Sequence, residues 1–201
     1  MNAKQIALGG WIACALSFST LADSASLPDE WHARQQSSLA APSSTATGHG
    51  LYVRVGGFSS DVLLSHDGTR WARHSSGIPN SLYSVAFGQA RFVAVGNEGA
   101  LVTSSDGAHW KRASSRTDER LRSIVFAKGQ FVAVGYNGTV ITSLDGLRWT
   151  KRNAQTEDRL QAVTFAEGHF IAAAKNGELI NSADGKNWKA GAPATDLVSV
   201  R

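Results

Sequence analysis

The chain has 201 residues, 20 Lys and Arg against 16 Asp and Glu, a formal net charge of +4, six histidines and one cysteine. That mild positive balance is spread along the chain rather than gathered into a basic stripe, which sets it apart from nucleic-acid-binding proteins. A lone thiol excludes an intrachain disulfide.

The chain opens with Met1-Asn-Ala-Lys4, an apolar stretch from Ile6 to about Leu21, and Thr20-Leu-Ala22. A positive tip, an apolar middle and small residues before a cleavage point describe a secretory signal peptide over residues 1–22, cut after Ala22. The mature protein is then expected in the periplasm or outside the cell, away from nucleic acid. The stretch is marginal for a membrane span and is interrupted by Gly9 and Gly10, so no span is expected after cleavage. Cys14 lies inside this segment, and its removal leaves no thiol nucleophile. The alternative, a lipoprotein site at Cys14, fits Trp11-Ile-Ala13 poorly.

Residues 23–50 form an N-terminal segment. In it Trp31-His-Ala-Arg34 looks like the later outer strand Trp110-Lys-Arg112. Residues 35–50, a run of Gln, Ser, Ala, Thr and Gly with one proline, read either as a flexible lead or as a degenerate inner strand.

Residues 51–201 carry a repeat. The phrase Ser-x-Asp-Gly-x-x-Trp occurs at Ser65, Asp67, Gly68 and Trp71; at Ser104, Asp106, Gly107 and Trp110; at Ser143, Asp145, Gly146 and Trp149; and at Ser182, Asp184, Gly185 and Trp188. Successive aspartates stand 39 residues apart, which indicates one supersecondary unit used repeatedly. The rest of the unit keeps the interval: Val85-Ala-Phe87, Phe92-Val-Ala-Val-Gly96 and Leu101-Val-Thr103 each have counterparts in the following repeats. Short Val-, Ile-, Phe- and Thr-rich runs bounded by Gly, Asn and Asp read as strands and tight turns. In the second repeat they fall near 82–87, 91–96, 100–104 and 109–113. Asn97-Glu-Gly99, Tyr136-Asn-Gly138 and Lys175-Asn-Gly177 read as the second turn, with glycine supplying a positive φ. A four-stranded antiparallel meander of this period describes the blade of an all-β propeller.

The Asp-Gly-x-x-Trp phrase falls between the third and fourth strands. A buried aspartate there can accept hydrogen bonds from turn amides, and the tryptophan can fold back on the sheet. Its role is read as structural, because equivalent positions in radial repeats face separate sites. The phrase resembles the Asp-box, or BNR, repeat of sialidase-like propellers, with one residue fewer between aspartate and tryptophan. With the preceding Phe-Val-Ala-Val-Gly strand it resembles exported BNR, WD40 and YVTN-type propellers and is similar to photosystem II assembly factor propellers. The resemblance covers residues 51–190.

At the far end Leu197-Val-Ser199-Val200 resembles the inner strand Leu82-Tyr-Ser84-Val85. Four blades and one terminal strand are thus present. Either the ring is incomplete, the reading favoured here, or the last strand takes the place near residues 44–47 and closes a four-bladed ring.

The resemblance implies that ligands meet the face carrying the second turns and the blade-to-blade connections. Candidate binding residues are therefore Arg116, Asp118, Glu119 and Arg120 in one connection, Glu157, Asp158 and Arg159 in the next, and Tyr136 and Asn137 in a turn. Arg116, Arg120 and Arg159 are expected to converge near the axis and to favour an acidic partner. No catalytic residue, metal ligand or cofactor is assigned: the histidines show no pair at metal-ligand spacing, and no tyrosine is visibly paired with a glutamate nucleophile. The expectation is a non-enzymatic scaffold for a protein or envelope component. The alternative is a sialidase-like glycoside hydrolase or a glycan-binding propeller, whose two carboxylates would come from Asp118, Glu119, Glu157 and Asp158.

Overall fold

A strand covered on both sides needs apolar residues at every position, whereas a strand covered on one side needs only alternation. Gln130–Gly135 is buried throughout, while His169–Ala174 alternates buried with half-buried or exposed residues. The first lies inside a stack of sheets and the second at its end. The computed structural model describes residues 43–191, which form four antiparallel four-stranded sheets. The first contains β1 (Ser43–Gly48), β2 (Leu51–Gly56), β3 (Val62–Ser65) and β4 (Ala72–His74). The second contains β5 (Leu82–Gly88), β6 (Arg91–Gly96), β7 (Leu101–Ser104) and β8 (Lys111–Arg112). β9 (Leu121–Ala127), β10 (Gln130–Gly135), β11 (Val140–Ser143) and β12 (Thr150–Arg152) make the third. β13 (Leu160–Ala166), β14 (His169–Ala174), β15 (Leu179–Ser182) and β16 (Lys189–Ala190) make the fourth.

Within each sheet the strands follow chain order, and the first strands of successive sheets lie side by side. This is the blade arrangement of a propeller. Inner strands pack in the succession β1–β5–β9–β13, and among the described residues β13 does not pack on β1 in this way, so the ring is open there. Ser43–Gly48 is the inner strand of the first blade, paired with β2 from Ser43↔Gly56 to Gly48↔Leu51. The first blade therefore begins ahead of residue 51, and the place near residues 44–47 is filled by the chain's own local strand. The leader expected over 1–22, the Trp31 phrase and Leu197–Val200 lie outside the described residues.

Three apolar cores hold the blades together, one per seam. Val53, Val55 and Val62 meet Leu82, Phe92 and Val102 at the first. Val93, Val95 and Leu101 meet Leu121, Phe131 and Ile141 at the second, and Val132, Val134 and Val140 meet Leu160, Phe170 and Ile180 at the third. Each fully buried side chain of this size contributes about 1.5–3 kcal/mol. A serine tightens each seam near the axis. Ser44, Ser84 and Ser123 accept the backbone N–H of Val85, Ile124 and Val163 in the next blade at 3.1, 3.2 and 3.1 Å.

Among the described residues no helix is long and apolar enough to cross a membrane.

Candidate binding face

The four Asp turns are built alike, and the buried residue in them is the serine rather than the aspartate. Ser65, Ser104, Ser143 and Ser182 are buried, and the first three accept the N–H of the turn glycine at 2.8–2.9 Å. The aspartates lie at the surface, with side-chain exposures of 40% at Asp67, 52% at Asp106 and 35% at Asp145. Each turns Oδ1 inward to two successive backbone N–H groups, for example those of Leu147 and Arg148 on Asp145 at 2.9 and 2.8 Å. These amides, above all the one three residues on, hold all four carboxyls well below the usual carboxylate range. Trp110, Trp149 and Trp188 donate their indole N–H to the turn glycine carbonyl at 2.9, 3.2 and 3.0 Å. Every hydrogen-bonding group of the turn that the aspartate and tryptophan address belongs to the same blade.

The other end of the axis is assembled differently. Second turns and connections are knitted together by backbone bonds: Asn97, Tyr136 and Lys175 donate N–H to the carbonyls of Ser81, Arg120 and Arg159, each at 2.9 Å. Gly99 and Gly138 donate to Glu119 and Asp158 of the following connection at 2.9 and 2.8 Å. A Cβ on Gly138 would overlap the carbonyl oxygen of Thr156, and its φ of +57° independently favours glycine.

A side-chain latch sits on the second, third and fourth blades at this end. Asn137 Nδ2 donates to Glu119 Oε1 and Asn176 Nδ2 to Asp158 Oδ2, both at 2.7 Å. In the second blade the chemistry is exchanged, with Asn80 Nδ2 donating to Glu98 Oε2 at 2.9 Å. Three of the candidate binding residues, Glu119, Asn137 and Asp158, are thus engaged in holding the face.

Arg120, Tyr136 and Arg159 do converge. The Arg120 guanidinium lies 5.1 Å from the Tyr136 ring and Arg159 lies 4.9 Å from it. Arg120 Nε also donates to Asn97 Oδ1 at 2.9 Å, which fixes its direction. Two residues not singled out from the sequence extend the row: Arg122 lies 4.9 Å from the Tyr83 ring, and Arg120 lies 5.8 Å from it. The result is an alternating ladder, Arg122–Tyr83–Arg120–Tyr136–Arg159, crossing the second, third and fourth blades.

Strand bulges explain it. The registers of β5 with β6 and of β9 with β10 skip Tyr83 and Arg122, and β13 with β14 skips Gln161. A bulged residue leaves the ladder of the sheet and its side chain is re-aimed. The only sequence signal was variation at one position of the repeat, Tyr, Arg and Gln, beside an unvarying leucine at 82, 121 and 160.

Cation–π contacts of this kind contribute about 0.5–1 kcal/mol each when partly exposed. Among the described residues no ion pair involves Arg120, Arg122 or Arg159. The ladder therefore presents guanidinium groups resting on aromatic rings and free of ion pairs, with Arg120 further oriented by Asn97, an arrangement suited to carboxylates. Phe58, 72% exposed, stands at the same end in the β2–β3 turn, where its carbonyl accepts from Ser81.

Arg116 is not part of this group. It has a φ of +61° and lines a shallow recess with Glu98, Arg112 and Asp118 in the outer half of its connection. Asp118 and Glu157 are exposed, with no side-chain hydrogen bond among the described residues. No three His, Cys, Asp or Glu side chains group as metal ligands among the described residues.

The repeat extends beyond this chain's own internal likeness. A family model described as the DUF6242 beta propeller domain matches residues 84–200, more than half of the chain. The chain belongs to the DUF6242 beta propeller family. No curated protein matches the sequence. Among solved structures, this DUF6242 propeller is similar to YCF48 bound to D1 peptide, with a TM-score of 0.53 and 19% identity over 73% of this chain and 50% of that one. The computationally designed Ika4 protein gives 0.54 and 15% over 71% and 91%. The GH74 enzyme of Niastella koreensis gives 0.55 and 18% over 73% and 23%. The chain spans half the length of the YCF48 structure, and at these identities the likeness is one of fold. At that level the resemblance to photosystem II assembly factor propellers holds.

Proposed function

We propose that the protein is a non-enzymatic propeller scaffold that captures an acidic, extended segment of a protein partner along the Arg122–Tyr83–Arg120–Tyr136–Arg159 ladder. The observation that carries this reading is the set of three guanidiniums held on aromatic faces with no carboxylate neutralising them. Guanidiniums resting on half-buried rings pair with carboxylates at lower ordering cost than arginines extended into solvent. Exposed Phe58 at the same end offers an apolar contact beyond the ladder. That YCF48 has been solved with a bound peptide supports a protein partner for a propeller of this kind. Export through the leader at residues 1–22, and a partner in the envelope, belong to the same reading.

The test is binding of a fluorescent Asp- and Glu-rich peptide to the full chain, followed by anisotropy. Arg120→Glu with Arg159→Glu should weaken binding by at least roughly tenfold, about 1.4 kcal/mol. Arg116→Glu, outside the ladder, should leave it within about twofold. Equal loss from both variants, or preference for a neutral oligosaccharide over the peptide, contradicts the reading.

A further inference from the structure

The first and last blades of the described residues are not equivalent. Strand registers place Tyr52, Phe92, Phe131 and Phe170 at one structural position, opposite Ser65, Ser104, Ser143 and Ser182. By the same registers Arg54, Ala94, Ala133 and Ala172 share the next position on that face, paired with Leu63, Val102, Ile141 and Ile180. In the second, third and fourth blades this is the face that docks on the preceding blade, and its phenylalanines and alanines are fully buried.

In the first blade the chemistry of that face has changed. A phenol stands where the others have a phenyl ring, and Tyr52 is 38% exposed. A guanidinium stands where the others have a methyl group. Arg54 lies 4.2 Å from the centre of the Trp71 ring, and its Nε donates to Thr45 Oγ1 at 3.2 Å. Its side chain therefore covers the indole that in later blades is packed into a seam. A blade docking there would have to expel this arginine or bury its charge without an acid, and a buried unpaired charge is costly.

The opposite end of the stack keeps docking chemistry. Ile171, Ala173 and Leu179 occupy the positions of Val93, Val95 and Leu101, which the next blade covers completely. In the fourth blade these three are only half-buried. Such a face meeting the first blade of a second copy would form a heterologous contact, which adds copies without closing.

We propose that the first blade is a terminal cap: the Arg54–Trp71 stack bars a second copy's fourth blade, so the open propeller does not polymerise head to tail. Stacked repeats need a polar outer face at their ends for solubility, and here one arginine provides it.

Sedimentation equilibrium of the full chain over a concentration series tests this. The wild type should stay a monomer or a single pair, since the fourth-blade face can at most meet another like itself. Arg54→Ala restores the alanine of the other blades and should give species whose mass grows with concentration. Arg54→Met keeps a long side chain over the indole without the charge and should also grow, which guards against misfolding of either variant. Adding Ala173→Arg, a charge on the receiving face, should return Arg54→Ala to the wild-type mass. A wild type that already grows without limit, or Arg54→Ala and Arg54→Met that both stay at wild-type mass, overturns the proposal.

Discussion

Trp149 and Trp71 hold the same place in their repeats and stand in different surroundings. Trp149 is 2% exposed, packs 6.2 Å from Phe131 and donates to Gly146. Trp71 is half-buried beneath Arg54. Trp149→Ala should cost about 3–5 kcal/mol in urea unfolding, the range of large aromatic core truncations. Trp71→Ala, which empties no seam, should cost less than half of that, and equal losses would show that the tryptophans act within their own turns rather than through the seams. The aspartates give a pH test. Their native pKa values lie below the unfolded value near ~3.9, so the stabilisation is full above that value and is lost as pH falls through the native one. Asp145→Asn should therefore lower the unfolding midpoint at neutral pH, and the gap to wild type should shrink as pH falls below about 4. A gap constant down to the acid limit would mean that the carboxylate is not what the turn amides require. Spacing placed these residues in a turn correctly, but it could not tell which polar group is buried. Serine takes that position because a hydroxyl reaches the glycine N–H at less desolvation cost than a carboxylate.

At the level of strands and turns, the 39-residue period made four meanders legible, including the second-blade strands to within a residue or two. β1 was harder to read because Ser43–Gly48 is Ser- and Thr-rich, with one buried residue, Ala46. An innermost strand at the end of the stack is covered on one side only, so it needs little apolar content. The ladder was half legible: Arg120 and Arg159 stood out as charged residues of the blade-to-blade connections and Tyr136 as a turn residue, while Tyr83 and Arg122 looked like ordinary strand residues until the bulges turned them. Two substitutions probe this level. Ser123→Ala removes the acceptor of a buried N–H and should cost about 1–2 kcal/mol, whereas Ser114→Ala, exposed, should be neutral. Gly138→Ala meets both an unfavourable φ and a carbonyl oxygen, so it should destabilise more than Gly168→Ala, which meets open space at a φ of +82°. Equal effects on thermal unfolding would deny that the connection is pressed against the turn.

For the whole molecule, two ends of one axis divide the work. The Asp turns bind their own backbone and serve the fold, while the opposite end gathers residues from three blades into one charged row. The four described blades can therefore offer the proposed binding face without closing a ring. Hydrogen exchange of the full chain with and without the acidic peptide tests this division most directly. Protection should appear in the inner parts of the connections at 119–122 and 158–160 and in the second turns at 97–99 and 136–138. The Asp turns at 67–71, 106–110 and 145–149 should exchange as they do in the free chain. Protection confined to the Asp turns, with the connections unchanged, would contradict the account.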